Sequence, residues 1–223
     1  MGKLEVINWQ GLRDAIEIGE CENIEFKHEF STYEKMAKEI CAFANTRGGV
    51  ILIGIDDNGR ISGIESEKES TALIEHSSQF YCYPAVKMYI KVIEYNGLDV
   101  LIVNVPESNN KPHAVVLNNN NLSPEKDNRV YIRLKDKSVI ASKEVTKVLE
   151  GKRADSPPLQ IKIGWLEKLL MGYLEKNERI TIAQFRSLAN ISQRRASRCL
   201  VHLVRAGVIR IFTDEGEDYY TLS

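Results

Sequence analysis

The sequence predicts an α+β protein: a mixed sheet with flanking helices over residues 1–150, a linker at 151–160, and a small domain of three helices and a hairpin at 161–223. Three observations carry that reading. Helix-like and strand-like segments alternate through the first part around one short, almost wholly apolar run, Val50-Ile51-Leu52-Ile53-Gly54-Ile55. A polar stretch with two prolines, Gly151 to Pro158, then interrupts the pattern, and proline both stops helices and stiffens linkers. Beyond it the apolar spacing turns helical and finally changes to strand, turn, strand.

Taken in order, Trp9 to Ile18 has helical spacing through Leu12, Ala15 and Ile16, and Asn23 to Lys27 reads as a short strand. Tyr33 to Asn45 is a helix with Met36, Ile40, Phe43 and Ala44 on one face, broken by Gly48-Gly49. The run from Val50 is a central strand buried on both faces, because β-branched residues dominate it without alternation. Asp56-Asp57-Asn58-Gly59 is a turn, with Ile61 to Ile64 as the returning strand of a hairpin. Ser66 to Phe80 is helical. Val86 to Tyr95 and Leu98 to Val105 flank Asn96-Gly97, the strongest short-range hairpin signal. The run Asn118 to Asn121 reads as an exposed loop continued through Asn128. Arg129 to Leu134 is a strand alternating Val130, Ile132 and Leu134, and Ala141 to Leu149 closes the domain as a helix. One sheet with attached helices is the economical arrangement.

In the second part, Ile161 to Glu175 is a helix. Thr181 caps a second, Ile182 to Ala189, and Ser192 caps a third, Gln193 to Ala206, stopped by Gly207. Val208 to Phe212 and Tyr219 to Leu222 form a β-ribbon around an acidic turn. This is the winged helix-turn-helix order, with the third helix in the recognition position.

Bulk properties exclude several classes. Hydrophobic content is 43% and charged content 27%, ordinary for a globular chain. The net charge of -1 excludes a general polycation. Charge is nevertheless uneven: between Arg179 and Arg210 there are seven arginines and no acid. Cys21, Cys41, Cys82 and Cys199 form no CxxC and no zinc-type spacing, which suits a reducing cytoplasm. No apolar stretch reaches transmembrane length, and the first ten residues carry no secretory pattern.

Three spaced motifs stand out: Glu20 with Glu25-Phe26-Lys27, then Ala42-Phe43-Ala44-Asn45-Thr46-Arg47-Gly48-Gly49, then Ile53-Gly54-Ile55-Asp56-Asp57-Asn58-Gly59. An acidic strand end, a helix stopped by glycines and a buried strand ending in carboxylates would meet at one edge of a sheet, where sites are commonly built. Pro106-Glu107-Ser108, Lys111-Pro112-His113 and Tyr131-Ile132-Arg133 follow. The series resembles the Schlafen AlbA-like family over about residues 14–150, a family described as DNA-binding or divergent ATP-binding.

The resemblance implies two functions. Many bacterial members carry a C-terminal helix-turn-helix and are treated as transcriptional regulators. Others are metal-dependent endoribonucleases with an acidic triad, whose matching positions here are Glu20, Glu25 and Asp57. Such carboxylates suit Mg²⁺ or Mn²⁺, with Lys27 stabilising phosphate charge. The plainer reading of the same residues is structural: Glu25 paired with a lysine or arginine, Asp57 shaping the turn, Glu20 capping a helix end. Vertebrate relatives join two such lobes and carry a Cys/His zinc site. This chain has one lobe and lacks the cysteines, so a groove between lobes implies a homodimer.

The leading expectation is a cytoplasmic DNA-binding transcriptional regulator, with Arg194, Arg195 and Arg198 facing the groove and Lys27 and Arg47 adding nucleic-acid contact. The alternatives are the ribonuclease, acting on RNA, and a protein-interaction adaptor. ATP is not expected, because no GxxxxGK[ST] loop is present. His28 and His113 are weaker candidates for phosphate contact, and Tyr33 and Tyr83 for base stacking; Cys21 and Cys41 read as buried hydrophobes.

Overall fold

The computed structural model describes residues 8–116, 128–153, 156, 159, 163–214 and 216–223. The asparagine run at 118–121, both linker prolines, the first two residues of the expected helix at 161 and Glu215 of the acidic turn fall outside them. The chain divides into two compact units, Met1–Ala141 and Ser142–Ser223.

The first unit contains α1 (Trp9–Ile18), β1 (Ile24–Lys27), α2 (Tyr33–Asn45), β2 (Gly48–Ile53), α3 (Glu67–Phe80), β3 (Cys82–Tyr83), β4 (Tyr89–Tyr95), β5 (Leu98–Pro106), β6 (Ala114–Val115), β7 (Arg129–Leu134) and β8 (Lys137–Ile140). The helices start where a side chain can accept an orphan backbone N–H: Asn8, Thr32 and Ser66 cap α1, α2 and α3. The main sheet is mixed, ordered β1-β2-β5-β4, with β1 parallel to β2 and the other pairs antiparallel. β2 is central, as its apolar run requires. Ile51, Ile53, Leu101 and Val103 face Ile40 and Phe43 of α2. Val50, Leu52, Val100 and Ile102 face Leu12 and Ala15 of α1.

The α2–β2 junction needs both glycines. Gly48 has φ +77, and a Cβ there would lie 2.7 Å from the Val105 carbonyl oxygen. A Cβ on Gly49 would lie 2.4 Å from the Phe43 ring.

Three sequence expectations are corrected. A second sheet, β3-β6-β7-β8, joins the first; β3 and β6 have two residues each, too short to show a period. Ile61–Ile64 is not a strand: Ile61 makes one bridge to Ile55, and the N–H groups of Ser62 and Gly63 both donate to the Gly54 carbonyl at 2.9 Å. The inward face of β7 is the opposite of the one its alternation suggests: Tyr131 packs on the core and Arg133 is buried, because Arg133 has two carboxylates waiting for it.

The second unit holds α4 (Lys143–Glu150), α5 (Trp165–Leu174), β9 (Ile180–Thr181), α6 (Ile182–Ala189), α7 (Gln193–Arg205), β10 (Ile209–Asp214) and β11 (Glu217–Leu222). Leu166, Leu170, Phe185, Leu200, Leu203 and Tyr220 form its core. Thr181 and Gln184 make a reciprocal capping box on α6. Ser192 caps α7, and Gly207 with φ +72 ends it. The strands form an antiparallel sheet ordered β10-β11-β9. The helix expected to close the first domain, α4, lies in this unit. It packs on α7, with Lys147 Nζ donating to Ser197 Oγ at 3.1 Å. No helix among the described residues is long and apolar enough to cross a membrane.

Candidate functional site

In the first unit the motif residues converge on Arg133. Its side chain is 1% exposed. Nη1 donates to Glu25 Oε2 at 2.8 Å and to Glu39 Oε2 at 3.1 Å, and Nη2 donates to the Cys21 carbonyl at 2.8 Å. The guanidinium carbon lies 4.6 Å from the centre of the Phe43 ring. Lys27 Nζ donates to the other oxygen of Glu25, and Ser138 Oγ donates to Glu39. β1 positions Glu25, α2 positions Glu39, and β7 delivers Arg133 between them. Arg133 Nε is the one guanidinium nitrogen with no partner among the described residues.

The remaining predicted acids go elsewhere. Glu20 Oε1 accepts a hydrogen bond from the Phe26 N–H at 3.0 Å. Asp57 is exposed in the turn. Its neighbour Asp56 is the engaged acid: Oδ1 lies 2.6 Å from His28 Nδ1, and that hydrogen bond holds the Asp56 carboxyl below its usual range. Glu20, Glu25 and Asp57 are thus not brought together, and no group of three His, Cys, Asp or Glu side chains placed to hold a metal occurs among the described residues. A carboxylate with an ammonium on one oxygen and a guanidinium on the other would have to break those bonds to ligate a cation. The positions do not fit Mg²⁺ or Mn²⁺ as they stand.

The second motif also does structural chemistry. Asn45 is buried; its Nδ2 donates to the carbonyls of His113 at 2.7 Å and Tyr131 at 2.8 Å, and its Oδ1 accepts from the His113 N–H at 2.7 Å. Thr46 Oγ1 accepts from the Arg133 N–H at 2.9 Å. Together these bonds tie the second sheet to the end of α2. His113 is buried, with Nδ1 on the Pro84 carbonyl at 2.6 Å and Nε2 on Ser108 Oγ at 2.7 Å. The lysine of the same segment, Lys111, donates to the Thr46 carbonyl and to Glu107.

Of the predicted nucleic-acid contacts in this unit, Lys27 is engaged by Glu25, whereas the Arg47 side chain is 79% exposed and only loosely paired with Glu22 at 3.7 Å. In the second unit Arg194, Arg195 and Arg198 are all exposed on α7. The Arg195 guanidinium lies 5.7 Å from the centre of the exposed Trp165 ring. Arg194 and Arg198 line a cleft against α4. Cys199, also on α7, is buried beside Glu167, and burial first and that carboxylate second push its thiol up to about 12. Cys41 is likewise raised, by its hydrogen bond with Cys82 and by burial.

Sequence reasoning missed Glu39 and the central role of Arg133. A charged residue on the apolar face of an amphipathic helix was the available signal for Glu39. Arg133 lies in the Tyr131-Ile132-Arg133 segment, on the face of its strand opposite the one that the alternation of Val130, Ile132 and Leu134 suggests.

The family model for Schlafen, AlbA_2 matches residues 20–142, more than half of the chain. No curated protein matches. Among solved structures, the chain is similar to the DIP2311 protein from Corynebacterium diphtheriae at 18% identity and a TM-score of 0.45, covering 91% of this chain and 34% of that one. It is also similar to the N-terminal domain of an ATP-dependent DNA helicase RecG-related protein from Nitrosomonas europaea, at 19% identity and a TM-score of 0.39 over 69% of this chain and 92% of that one. This chain therefore spans about a third of the Corynebacterium protein. The motifs, the mixed sheet they organise and the extent of the family match agree: the chain belongs to the Schlafen AlbA_2 family.

Proposed function

We propose that this protein binds nucleic acid, with duplex DNA as the favoured partner, and acts as a cytoplasmic transcriptional regulator. Its second unit works as a winged helix-turn-helix with α7 as the recognition helix. The observation that carries the reading is α7 itself: an amphipathic helix with a buried apolar face, no acid along its length, and Arg194, Arg195 and Arg198 exposed at its N-terminal end. Arginine there can pair with guanine edges or grip phosphate. The preceding α6 and the following β10–β11 hairpin supply the rest of the arrangement. Arg47 of the first unit adds backbone contact. A single lobe supplies half of the groove that two-lobed relatives build, so the reading includes a homodimer.

The test is fluorescence anisotropy of a labelled duplex across a salt series. Three phosphate contacts give a slope of about -2.7 in log K against log salt, which is roughly a 40-fold loss from 50 to 200 mM. Replacing Arg194 and Arg195 with Ala should flatten that slope. A salt-insensitive partner interaction would favour the adaptor reading instead. The ribonuclease reading has less support, because Glu25 is neutralised by Lys27 and Arg133.

A further inference from the structure

We propose that the cleft between α4 and α7 is a binding site for phosphate groups. The inference rests on the nucleic-acid reading for the source of the phosphate, but not for the chemistry. The two helices lie side by side, tied by Lys147 to Ser197 at 3.1 Å and by Arg205 Nη2 to the Gly151 carbonyl at 3.2 Å. The cavity between them measures about 480 Å³, with Arg194, Arg198, His202 and Arg205 from α7 and Lys147 and Glu150 from α4 in its lining.

Three features distinguish the cleft from a merely solvated face. The first is charge. Among the described residues, three arginines and a lysine meet a single carboxylate, Glu150, and neither Arg194 nor Arg198 has an ion-pair partner there. Cations gathered on one wall repel one another, and an anion relieves that repulsion. The second is placement. Arg194 stands in the first turn of α7, which carries no acid, so it faces the positive end of the helix dipole. Acidic residues are favoured there; arginine is not, and helix stability does not account for it.

The third is Gly151. Its φ of -72 and ψ of -8 are open to any residue. Yet a Cβ would lie 2.0 Å from Arg205 Nε and 2.4 Å from Cζ. The contact is with the far end of a flexible side chain, so an alanine here would displace the Arg205 guanidinium from this seat rather than strain the backbone. The Arg205 guanidinium is seated against bare backbone and held there by one hydrogen bond, with further N–H donors left over. A guanidinium in this seat presents paired donors that match phosphate oxygens, and Lys147 adds a point charge on the opposite wall. α4 then works as the second wall of an anion cleft. The phosphate could belong to a nucleic-acid backbone or to a free phosphorylated ligand.

The experiment is titration calorimetry of the full chain with sodium tripolyphosphate, paired with anisotropy of a labelled duplex in which tripolyphosphate competes. Binding should weaken roughly tenfold or more in Arg198→Ala and Gly151→Ala, as for loss of a charged hydrogen bond. Lys168→Ala, an exposed lysine of α5, should bind as wild type. Competition between tripolyphosphate and duplex identifies the source as backbone phosphate; independent binding identifies a free ligand. If tripolyphosphate does not bind, or binds equally well in both cleft variants, the site is overturned. That holds even if the duplex still binds and Arg195→Ala weakens it, an outcome that leaves the nucleic-acid reading standing. Arg198 is exposed, so its variant carries the test if Gly151→Ala fails to fold.

Discussion

Replacing Arg133 with Met tests the reading of the carboxylate cluster most directly. The substitution keeps much of the side-chain volume and removes the charge. Glu25 and Glu39, each with a side chain 9% exposed, would be left facing each other without their shared guanidinium. Breaking a buried ion pair from one side typically costs about 3–5 kcal/mol. Lys27 still reaches Glu25, and Lys38 stands 3.6 Å from Glu39, so residual neutralisation places the cost near the lower end, about 3 kcal/mol. For a chain of this size that is a fall in Tm of roughly 6–12 °C. Urea unfolding gives the free energy directly. The companion variant replaces all three groups together, Arg133→Met with Glu25→Leu and Glu39→Leu, and should recover to within about 1 kcal/mol of wild type, because no buried charge remains. A cost below about 1 kcal/mol for Arg133→Met would refute the argument, as it would mean that the network does not hold the two sheets and α2 together.

Further outcomes follow from other contacts. Asn45→Ala removes two donated bonds and one accepted bond in the interior, and should cost roughly 2–4 kcal/mol by urea unfolding. The Asp56 carboxyl is lowered by His28, so its contribution to stability is present above the unfolded carboxylate range near pH 4 and is lost as pH falls through the lower folded value. His28→Ala should return the Asp56 titration to the ordinary range, followed by carboxyl NMR. With Mn²⁺ and labelled transfer RNA, cleavage above the EDTA background is not expected; cleavage abolished by Glu25→Gln would make Glu20, Glu25 and Asp57 an active site after all.

Legibility in the sequence followed the length of each pattern. The limits of α1 and α2 were readable to the residue because each has a side-chain cap and a full apolar face. The β4–β5 hairpin was readable from Asn96-Gly97, whose φ values of +51 and +79 are those the dipeptide supports. The second sheet was not, since two-residue strands carry no period and their partners lie far along the chain: β3 pairs with β6, and β6 with β7. The inward face of β7 was misread for a related reason. A buried arginine looks like a surface residue until its acids are located, and both come from other elements, about 100 residues away in sequence. The cleft against α7 was equally hidden, because α4 reads as the last helix of the first domain and nothing local shows that it lies along α7.

The motifs that carry the family resemblance resolve, side chain by side chain, into ties: Glu25 to Arg133, Asn45 to two carbonyls, Thr46 to the Arg133 N–H, Gly48 and Gly49 to a close approach of β2 with its surroundings. Residues committed in this way specify a fold, and their loss appears first as lost stability. The exposed arginines of α7 have the opposite profile: they make few internal bonds, and the helix gains nothing from a cation at its positive end. Substitutions in the two sets should therefore separate cleanly. Changes at Glu25, Asn45 and Arg133 should move the unfolding midpoint, whereas changes at Arg194 and Arg198 should leave it in place and alter binding and its salt dependence. If Arg194 and Arg198 proved as costly to stability as Asn45, the division between scaffold and binding surface drawn from their contacts would fail.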